Sequence, residues 1–329
     1  MVEHPIVVDG LTKRFGEFCA VDHVSFQVGR GEVYGWLGPN GAGKTTTIRM
    51  LLGLLKATEG TARVLGYDPM TDAKSIHTHV GYMSQLFTLY NDLTASENIR
   101  FYARAYGLSR LELGRRHLEI VEMAGLRGHE RELTRNLSGG WKQRLALGCA
   151  IVHNPPVLFL DEPTAGVDPI SRRQFWSLIY RMAGQGVTVM VTTHYMDEAE
   201  LCQRVGFISQ GRLIALDTPD RLKRTQMRGH VLELDCGPDS EAAVRVLRAA
   251  GESKALDLEE VALYGAQIHV IVPDARTYRA RVIDVLNAQH LEVRAVEWIA
   301  PTLEDVFISA VKSASAAKSS PPGQGRDSN

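Results

Sequence analysis

A chain of 329 residues, 44 % of them hydrophobic, is long enough for two or three domains with cores of their own. Its formal net charge of -1 excludes a global basic field that would recruit nucleic acid, no apolar run reaches bilayer length, and Met1-Val2-Glu3-His4-Pro5 lacks the basic and apolar regions of a signal peptide. Cys19, Cys149, Cys202 and Cys236 are scattered and His77 and His79 have no clustered partners, which argues against a zinc site or a disulfide framework and suits a reducing cytoplasm.

Ile6-Val7-Val8-Asp9 and Leu11-Thr12-Lys13-Arg14-Phe15 read as opening strand material. Phe15 precedes a glycine; it can stack on a purine base or serve as an ordinary core or edge aromatic, and position alone leaves both open. Ala20 to Val28 alternates apolar and polar residues, the period of a half-buried strand. After the turn Gly29-Arg30-Gly31, Glu32 to Leu37 reads as a short buried strand. Gly38-Pro39-Asn40-Gly41-Ala42-Gly43-Lys44-Thr45 then fills every fixed position of the phosphate-loop pattern, and Thr46 to Leu52 reads as the start of a helix. Glycines let the backbone approach a phosphate, and the loop N–H groups and helix N-terminus face it. Lys44 is placed to reach the β- and γ-phosphates, and the Thr45 hydroxyl to ligate Mg²⁺.

Val80 to Gln85 reads as another strand, ending in a polar amide. Large apolar side chains follow, then a helix N-cap at Thr94 and a helix from about Ala95 to Tyr106. A second helix runs from about Leu111 to Ala124, so residues 86–150 read as a helical insertion. Leu137-Ser138-Gly139-Gly140 is a small-residue turn into a helix from Trp141 to Val152. Ser138 at its N-cap leaves N–H groups free for an anion, although taken alone it reads better as a plain cap.

Val157 to Leu160 fits a central parallel strand and ends in Asp161-Glu162. Ligands of open α/β sheets sit beyond the carboxyl ends of strands. Asp161 there can hold Mg²⁺, directly or through water, and Glu162 can polarise an attacking water. Ala165-Gly166-Val167-Asp168-Pro169 is a tight turn before a helix at Ile170 to Ala183. Gly186 to Thr193 is another buried strand; His194 at its carboxyl end reads as a γ-phosphate contact rather than the usual structural histidine. Val205 to Ser209 and Arg212 to Leu216 read as a hairpin.

The pattern changes after Thr218-Pro219. Residues 221–229 read as a basic, helical linker. Residues 230–311 give strand, helix, two strands, helix and strand, the split β-α-β order of a ferredoxin-like domain, closed by a short helix from Thr302. Trp298 and Phe307 read as core of this domain or as aromatics that pack on a partner copy, with core the preferred reading. Residues 312–329 read as a disordered tail.

In this order the motifs of about residues 5–220, within a domain placed at 1–220, resemble an ABC-type ATPase domain. Gln85 matches the family's Q-loop, Leu137-Ser138-Gly139-Gly140 its signature, and Leu158 to Glu162 its second nucleotide motif. Ala165 to Asp168 matches the D-loop and His194 the switch histidine. The C-terminal unit, with Pro301-Thr302-Leu303-Glu304-Asp305-Val306-Phe307, is similar to the tail domain of bacterial drug-export-type ABC ATPases. Two departures stand out: Trp141 occupies the position after the signature where the family most often has Gln, and Phe15 matches an adenine-stacking position that is often Tyr.

The resemblance implies an α/β fold, with a mixed-sheet core and a helical subdomain, followed by a small ferredoxin-like α+β domain. It implies ATP and Mg²⁺ as cofactors. Glu162, His194 and Gln85 would be catalytic, and Thr45, Gln85 and Asp161 would form the metal set. Nucleotide contacts would come from Phe15, the run Gly38 to Thr46, Ser138, Gly139, Gly140 and Asp168. Two copies would face each other head to tail, with each nucleotide between the loop of one copy and the signature of the other. Their cycle would drive a separate permease, docked near Gln85 to Asn98, for efflux of a drug or other small hydrophobic substrate at the cytoplasmic face of the inner membrane. Leu86 to Leu93 would supply the apolar anchors of that joint. No nucleic acid partner is expected. A non-transport ABC protein of translation or DNA repair would share the motifs, but the tandem domains of the first and the long coiled coil of the second are not visible. A phosphate-loop kinase or GTPase would not need Ser138-Gly139-Gly140 or His194, and a purely regulatory binding module would not need both Glu162 and His194.

Overall fold

The computed structural model describes residues 2–85, 89–227 and 229–319, and the chain divides into two units, Met1–Thr218 and Pro219–Asn329. The first unit opens with β1 (Ile6–Phe15), β2 (Phe18–Val28) and β3 (Val33–Leu37), followed by α1 (Lys44–Leu51), β4 (Glu59–Val64), α2 (Ala73–His79) and β5 (Val80–Met83). Three helices come next, α3 (Ala95–Ala105), α4 (Arg110–Met123) and α5 (Gly139–Ala150). The unit closes with β6 (Val157–Asp161), α6 (Pro169–Gly184), β7 (Thr188–Thr193), α7 (Met196–Ala199), β8 (Arg204–Ser209) and β9 (Arg212–Asp217).

Two sheets form. One is antiparallel, in the order β2-β1-β4; the other has the order β5-β6-β7-β3-β8-β9 and is parallel except for the β8-β9 pair. Strands β3, β6 and β7 are buried along their whole length, as expected of the middle of a covered parallel sheet. Phe26 of β2 packs on Tyr34 and Trp36 of β3, with ring centroids 5.3 and 4.9 Å apart, so the core lies between the two sheets. Helices α3 and α4 start where the sequence makes them start: Thr94 with Glu97, and Ser109 with Glu112, form reciprocal capping boxes.

In the strand order β6-β7-β3, the strand that feeds the phosphate loop and the strand that ends in the two acids are separated by β7 alone. All three run parallel, so their carboxyl ends meet at one edge.

The second unit contains α8 (Pro219–Thr225), β10 (His230–Asp235), α9 (Ser240–Glu252), β11 (Glu260–Tyr264), β12 (Gln267–Val272), α10 (Ala275–Asn287), β13 (Ala295–Ile299) and α11 (Leu303–Ser319). Its sheet is antiparallel, in the order β11-β12-β10-β13, the strand arrangement of a ferredoxin-like domain. Leu232, Leu234, Ile268 and Val270 share a core with Val244 and Leu247 of α9 and Val282 and Leu286 of α10.

Several local readings of the sequence need adjustment here. The segment read as a linker begins as helix α8, with Leu222 buried, and falls in the second unit. The closing helix is not short: it is capped by Thr302 and Asp305 and runs past 312 to Ser319, while residues 320–329 lie outside the described residues. Trp298 is not core. It is 66 % exposed on the edge strand β13 and meets the ring of His230 edge-on at 5.2 Å. Phe307 is only half-buried.

Candidate functional site

The loop between β3 and α1 closes on the edge described above. Gly43, the N-cap of α1, has a φ of 106°, and a Cβ there would lie 2.5 Å from the Ala20 carbonyl oxygen, so only glycine fits. Lys44 opens α1 and is buried, yet its ammonium is satisfied: it donates to the Gly38 carbonyl at 2.7 Å and the Pro39 carbonyl at 3.2 Å, and lies 3.0 Å from Glu162 Oε1.

Glu162 is where the separate motifs converge. Gln85 Nε2 donates to its Oε2 at 3.3 Å, and His194 Nδ1 approaches the same oxygen at 3.3 Å. The histidine contact is close but lacks hydrogen-bond geometry, so His194 Nδ1 remains buried without a hydrogen-bond partner. Glu162 also has a positive φ of 47°, a left-handed conformation that costs a non-glycine residue about 1 kcal/mol or more.

Asp161 is almost fully buried. Its Oδ1 accepts hydrogen bonds from the Thr45 hydroxyl at 3.1 Å and the Thr192 hydroxyl at 2.7 Å, while Oδ2 is buried with no hydrogen-bond partner among the described residues. Burial pushes its pKa up against the lowering effect of those two hydroxyls. A buried carboxylate oxygen without a donor is costly unless something positive meets it. Together with the Thr45 hydroxyl it makes a hard, oxygen-only donor set that fits Mg²⁺.

A cleft of about 370 Å³ opens over these groups. Asn40, Gly41, Lys44, Thr45, Thr46, Gln85 and Glu162 line it, and Phe15 and Phe18 stand at its side. The two phenylalanines are paired across the β1-β2 turn and are 49 % and 63 % exposed, so Phe15 is not core. Sequence reading missed Phe18 and Thr192. The apolar residue that ends one side of a tight β1-β2 turn and faces Phe15 was the available signal for Phe18; Thr192 in a strand of Val and Thr gave none.

Seven predicted nucleotide contacts do not line this cleft: Gly38, Pro39 and Ala42 of the loop itself, and Ser138, Gly139, Gly140 and Asp168 from other segments. Ser138 and Gly139 are exposed at the start of α5, where the Ser138 hydroxyl accepts from the Trp141 N–H at 3.4 Å. Gly140 is buried against α6, and a Cβ on it would lie 2.4 Å from Ser171 Oγ. Asp168 caps α6, accepting from the N–H groups of Ile170 and Ser171; the Ser171 side chain first, and then these N–H groups, hold its carboxyl below the usual range. Trp141 is held between the His129 ring at 4.1 Å and the Arg144 guanidinium at 4.3 Å, and Arg144 in turn reaches the Gly140 carbonyl. The expected permease anchors at 86–88 lie outside the described residues.

The family model described as "ABC transporter" matches residues 21–165, and one described as "ATP-binding protein DrrA1-3-like, C-terminal domain" matches residues 218–311. The probable multidrug ABC transporter ATP-binding protein YbhF of Escherichia coli K12 is 52 % identical over 213 residues, which are 65 % of this chain and 37 % of that protein. The chain thus spans little more than a third of that relative. The linearmycin resistance ATP-binding protein LnrL of Bacillus subtilis is 32 % identical over 92 % of this chain and 96 % of its own. The daunorubicin/doxorubicin resistance ATP-binding protein DrrA of Streptomyces peucetius is 36 % identical over 92 % and 91 %. Among solved structures, an ATP-binding subunit of an ABC transporter superposes with a TM-score of 0.61 at 30 % identity, covering 67 % of this chain and 92 % of that one. A dimeric ATP-binding cassette in a post-hydrolysis state with ADP and Pi superposes with a TM-score of 0.59 at 28 % identity, covering 65 % and 98 %. With loop, acids, signature and C-terminal unit all matched over nearly the full length of such relatives, the chain belongs to the ATP-binding proteins of the ABC transporter family.

Proposed function

We propose that this chain is the ATP-hydrolysing subunit of an exporter, working as a head-to-tail pair and driving a separate membrane permease. The observation that carries this reading is the division of the motifs. Lys44, Gln85 and Glu162 line one cleft and His194 lies against Glu162, while Ser138 and Gly139 are turned to solvent outside that cleft. An exposed helix N-terminus on one copy is what the cleft of another copy would need on its open side. A γ-phosphate seated there would take over the charge of Lys44, which now faces Glu162, and leave that carboxylate to accept a proton from water. Gln85 and His194 would orient the water and the γ-phosphate. Phe15, with Phe18 beside it, would give the adenine an apolar face.

Thr45 and Asp161, with Gln85 beside them, would hold Mg²⁺, which when bound neutralises phosphate charge. No helix among the described residues is long and apolar enough to cross a membrane, so coupling would go through a permease docked near Gln85 to Asn98 at the cytoplasmic face of the inner membrane. Relatives named for drug resistance, multidrug transport and Nod factor export, and the matched C-terminal unit, favour efflux of small hydrophobic molecules over a role in translation or repair.

Size-exclusion chromatography tests the pairing. A Glu162→Gln chain should run as a dimer with ATP and as a monomer without it. Adding Ser138→Arg should abolish the ATP-dependent dimer while leaving ATP affinity within about threefold, since Ser138 lies outside the cleft that binds nucleotide first. Dimers that survive Ser138→Arg would remove the signature from the interface.

A further inference from the structure

Thr192 lies on β7, between the loop strand and the acid strand, and is fully buried. It pairs with Asp161 across the β6-β7 register. Its hydroxyl makes two bonds in opposite senses. It donates to Asp161 Oδ1 at 2.7 Å and accepts from the Glu162 N–H at 3.0 Å, beside the bond from that N–H to the Thr192 carbonyl at 3.2 Å. One side chain therefore touches both acids.

We propose that Thr192 is a positioning residue for the nucleotide site: its hydroxyl fixes the rotation of the Asp161 carboxylate, so that Oδ2 is the oxygen left for a cation, and anchors the left-handed backbone of Glu162. The reasoning is steric and electrostatic. A buried carboxylate turns toward whatever donors it has. With Thr45 and Thr192 both donating to Oδ1, the other oxygen has no donor to rotate toward. Glu162 stands in a conformation that a non-glycine residue keeps only when its surroundings hold it, and among the described residues its N–H is held by Thr192, through hydroxyl and carbonyl. Removing the hydroxyl would halve that anchor and let Asp161 turn. This inference rests on the hydrolysis reading for its rate effect, but its metal effect stands apart from it.

The test uses the full chain with Thr192→Val, which keeps the shape and loses the hydroxyl, and Thr192→Ser, which keeps the hydroxyl. Thr192→Ala serves in place of Val if that variant does not fold. ADP affinity in EDTA should stay within about twofold of the parent, because Lys44 and the loop are untouched. The Mn²⁺ concentration that half-saturates the ADP-bound chain, read by electron paramagnetic resonance, should rise about tenfold in Thr192→Val. The kcat for ATP should fall about tenfold or more, the size of a hydrogen bond to a charged group. Thr192→Ser should restore both to within about threefold. A Thr192→Val chain with Mn²⁺ half-saturation and kcat both within twofold of the parent overturns the proposal, as does a Thr192→Ser chain as impaired as Thr192→Val. A Glu162→Gln chain that turns over ATP at the parent rate would instead sink the hydrolysis reading, and the Mn²⁺ measurement would still decide for or against Thr192.

Discussion

Each unit brings a histidine up against carboxylates, and the two clusters are finished differently. In the first unit His194 leans on Glu162 without a proper hydrogen bond, Asp161 keeps one oxygen without a donor, and Glu162 stands in a left-handed conformation. In the second unit His269 of β12 lies between Asp305 of α11 at 3.1 Å and Glu233 of β10 at 3.3 Å, and its ring stacks on Tyr264 at 4.6 Å. Asp305 is satisfied as well, since Thr302 donates to it from its N–H and its hydroxyl. His269 alternates along β12 with Ile268 and Val270, which face α9 and α10, so it points to the other face, and its bond to Asp305 ties α11 there. The histidine and aspartate of the second cluster have their polar atoms paired, which suits a structural role. The first leaves a buried oxygen unpaired next to a strained acid, which suits the ligand site proposed above.

The largest effect that would break this contrast is on turnover. Glu162→Gln keeps the shape and the Gln85 contact but cannot accept a proton, so steady-state ATP hydrolysis should fall about 10²–10⁴-fold with ATP affinity little changed. Phosphate release measured under saturating ATP checks it, and a fall of less than about threefold would remove Glu162 from the chemistry.

The second cluster should show itself in stability instead. Burial pulls the His269 pKa down, but the hydrogen bonds and charges of Asp305 and Glu233 outweigh it and leave the pKa raised. Burial raises that of Asp305, but bonds from His269 and Thr302 prevail and leave it lowered. The signs then follow. The His269 contribution is fully present below its unfolded pKa, about 6.5, and is lost as pH rises through the raised folded value. The Asp305 contribution is present above its unfolded pKa, about 3.9, and is lost as pH falls through the lowered folded value. Urea unfolding followed by circular dichroism should therefore show this unit weakening on the alkaline side. Asp305→Asn should cost about 1–3 kcal/mol near pH 6 and flatten that alkaline decline. An Asp305→Asn chain that keeps the parent's alkaline decline would take His269 out of the account.

How far the sequence announces each cluster differs for the same physical reason. Gly43, Lys44 and Thr45 are legible because the phosphate proposed for this loop would restrict which residues can stand at each place in it. Asp161 and Glu162 are legible because two acids at the end of an apolar strand have no packing explanation. Thr192 is not legible, since threonine is an ordinary strand residue and its role depends on which strand lies beside it. The same long-range pairing decides Trp298, which reads as core until β13 proves to be an edge strand. The ferredoxin-like order was readable from alternating element periods, whereas His269 looked like any strand residue until Asp305 arrived from α11. Alanine-rich residues after Ser313 passed for tail because composition alone does not count a capped helix upstream of them.

The smallest effect bears most directly on the separation between the units. If the His269 cluster is finished as structure, deleting it with its whole unit should leave nucleotide binding alone. The first unit has its own core, and every side chain that lines the cleft lies between Phe15 and Glu162. The division falls between Thr218 and Pro219, so the cut belongs there and not inside α8, where Leu222 is buried. A chain ending at Thr218 should bind ATP within about twofold of the full chain, because none of the groups whose charge meets phosphate is removed. Its dimerisation with ATP in the Glu162→Gln background can change, which would give the second unit an accessory part in pairing or in setting the ATPase rate. Titration with a fluorescent ATP analogue measures the first quantity. A folded Thr218 chain that does not bind the nucleotide would mean the second unit completes the site, and the contrast between a waiting cluster and a finished one would no longer separate chemistry from scaffold.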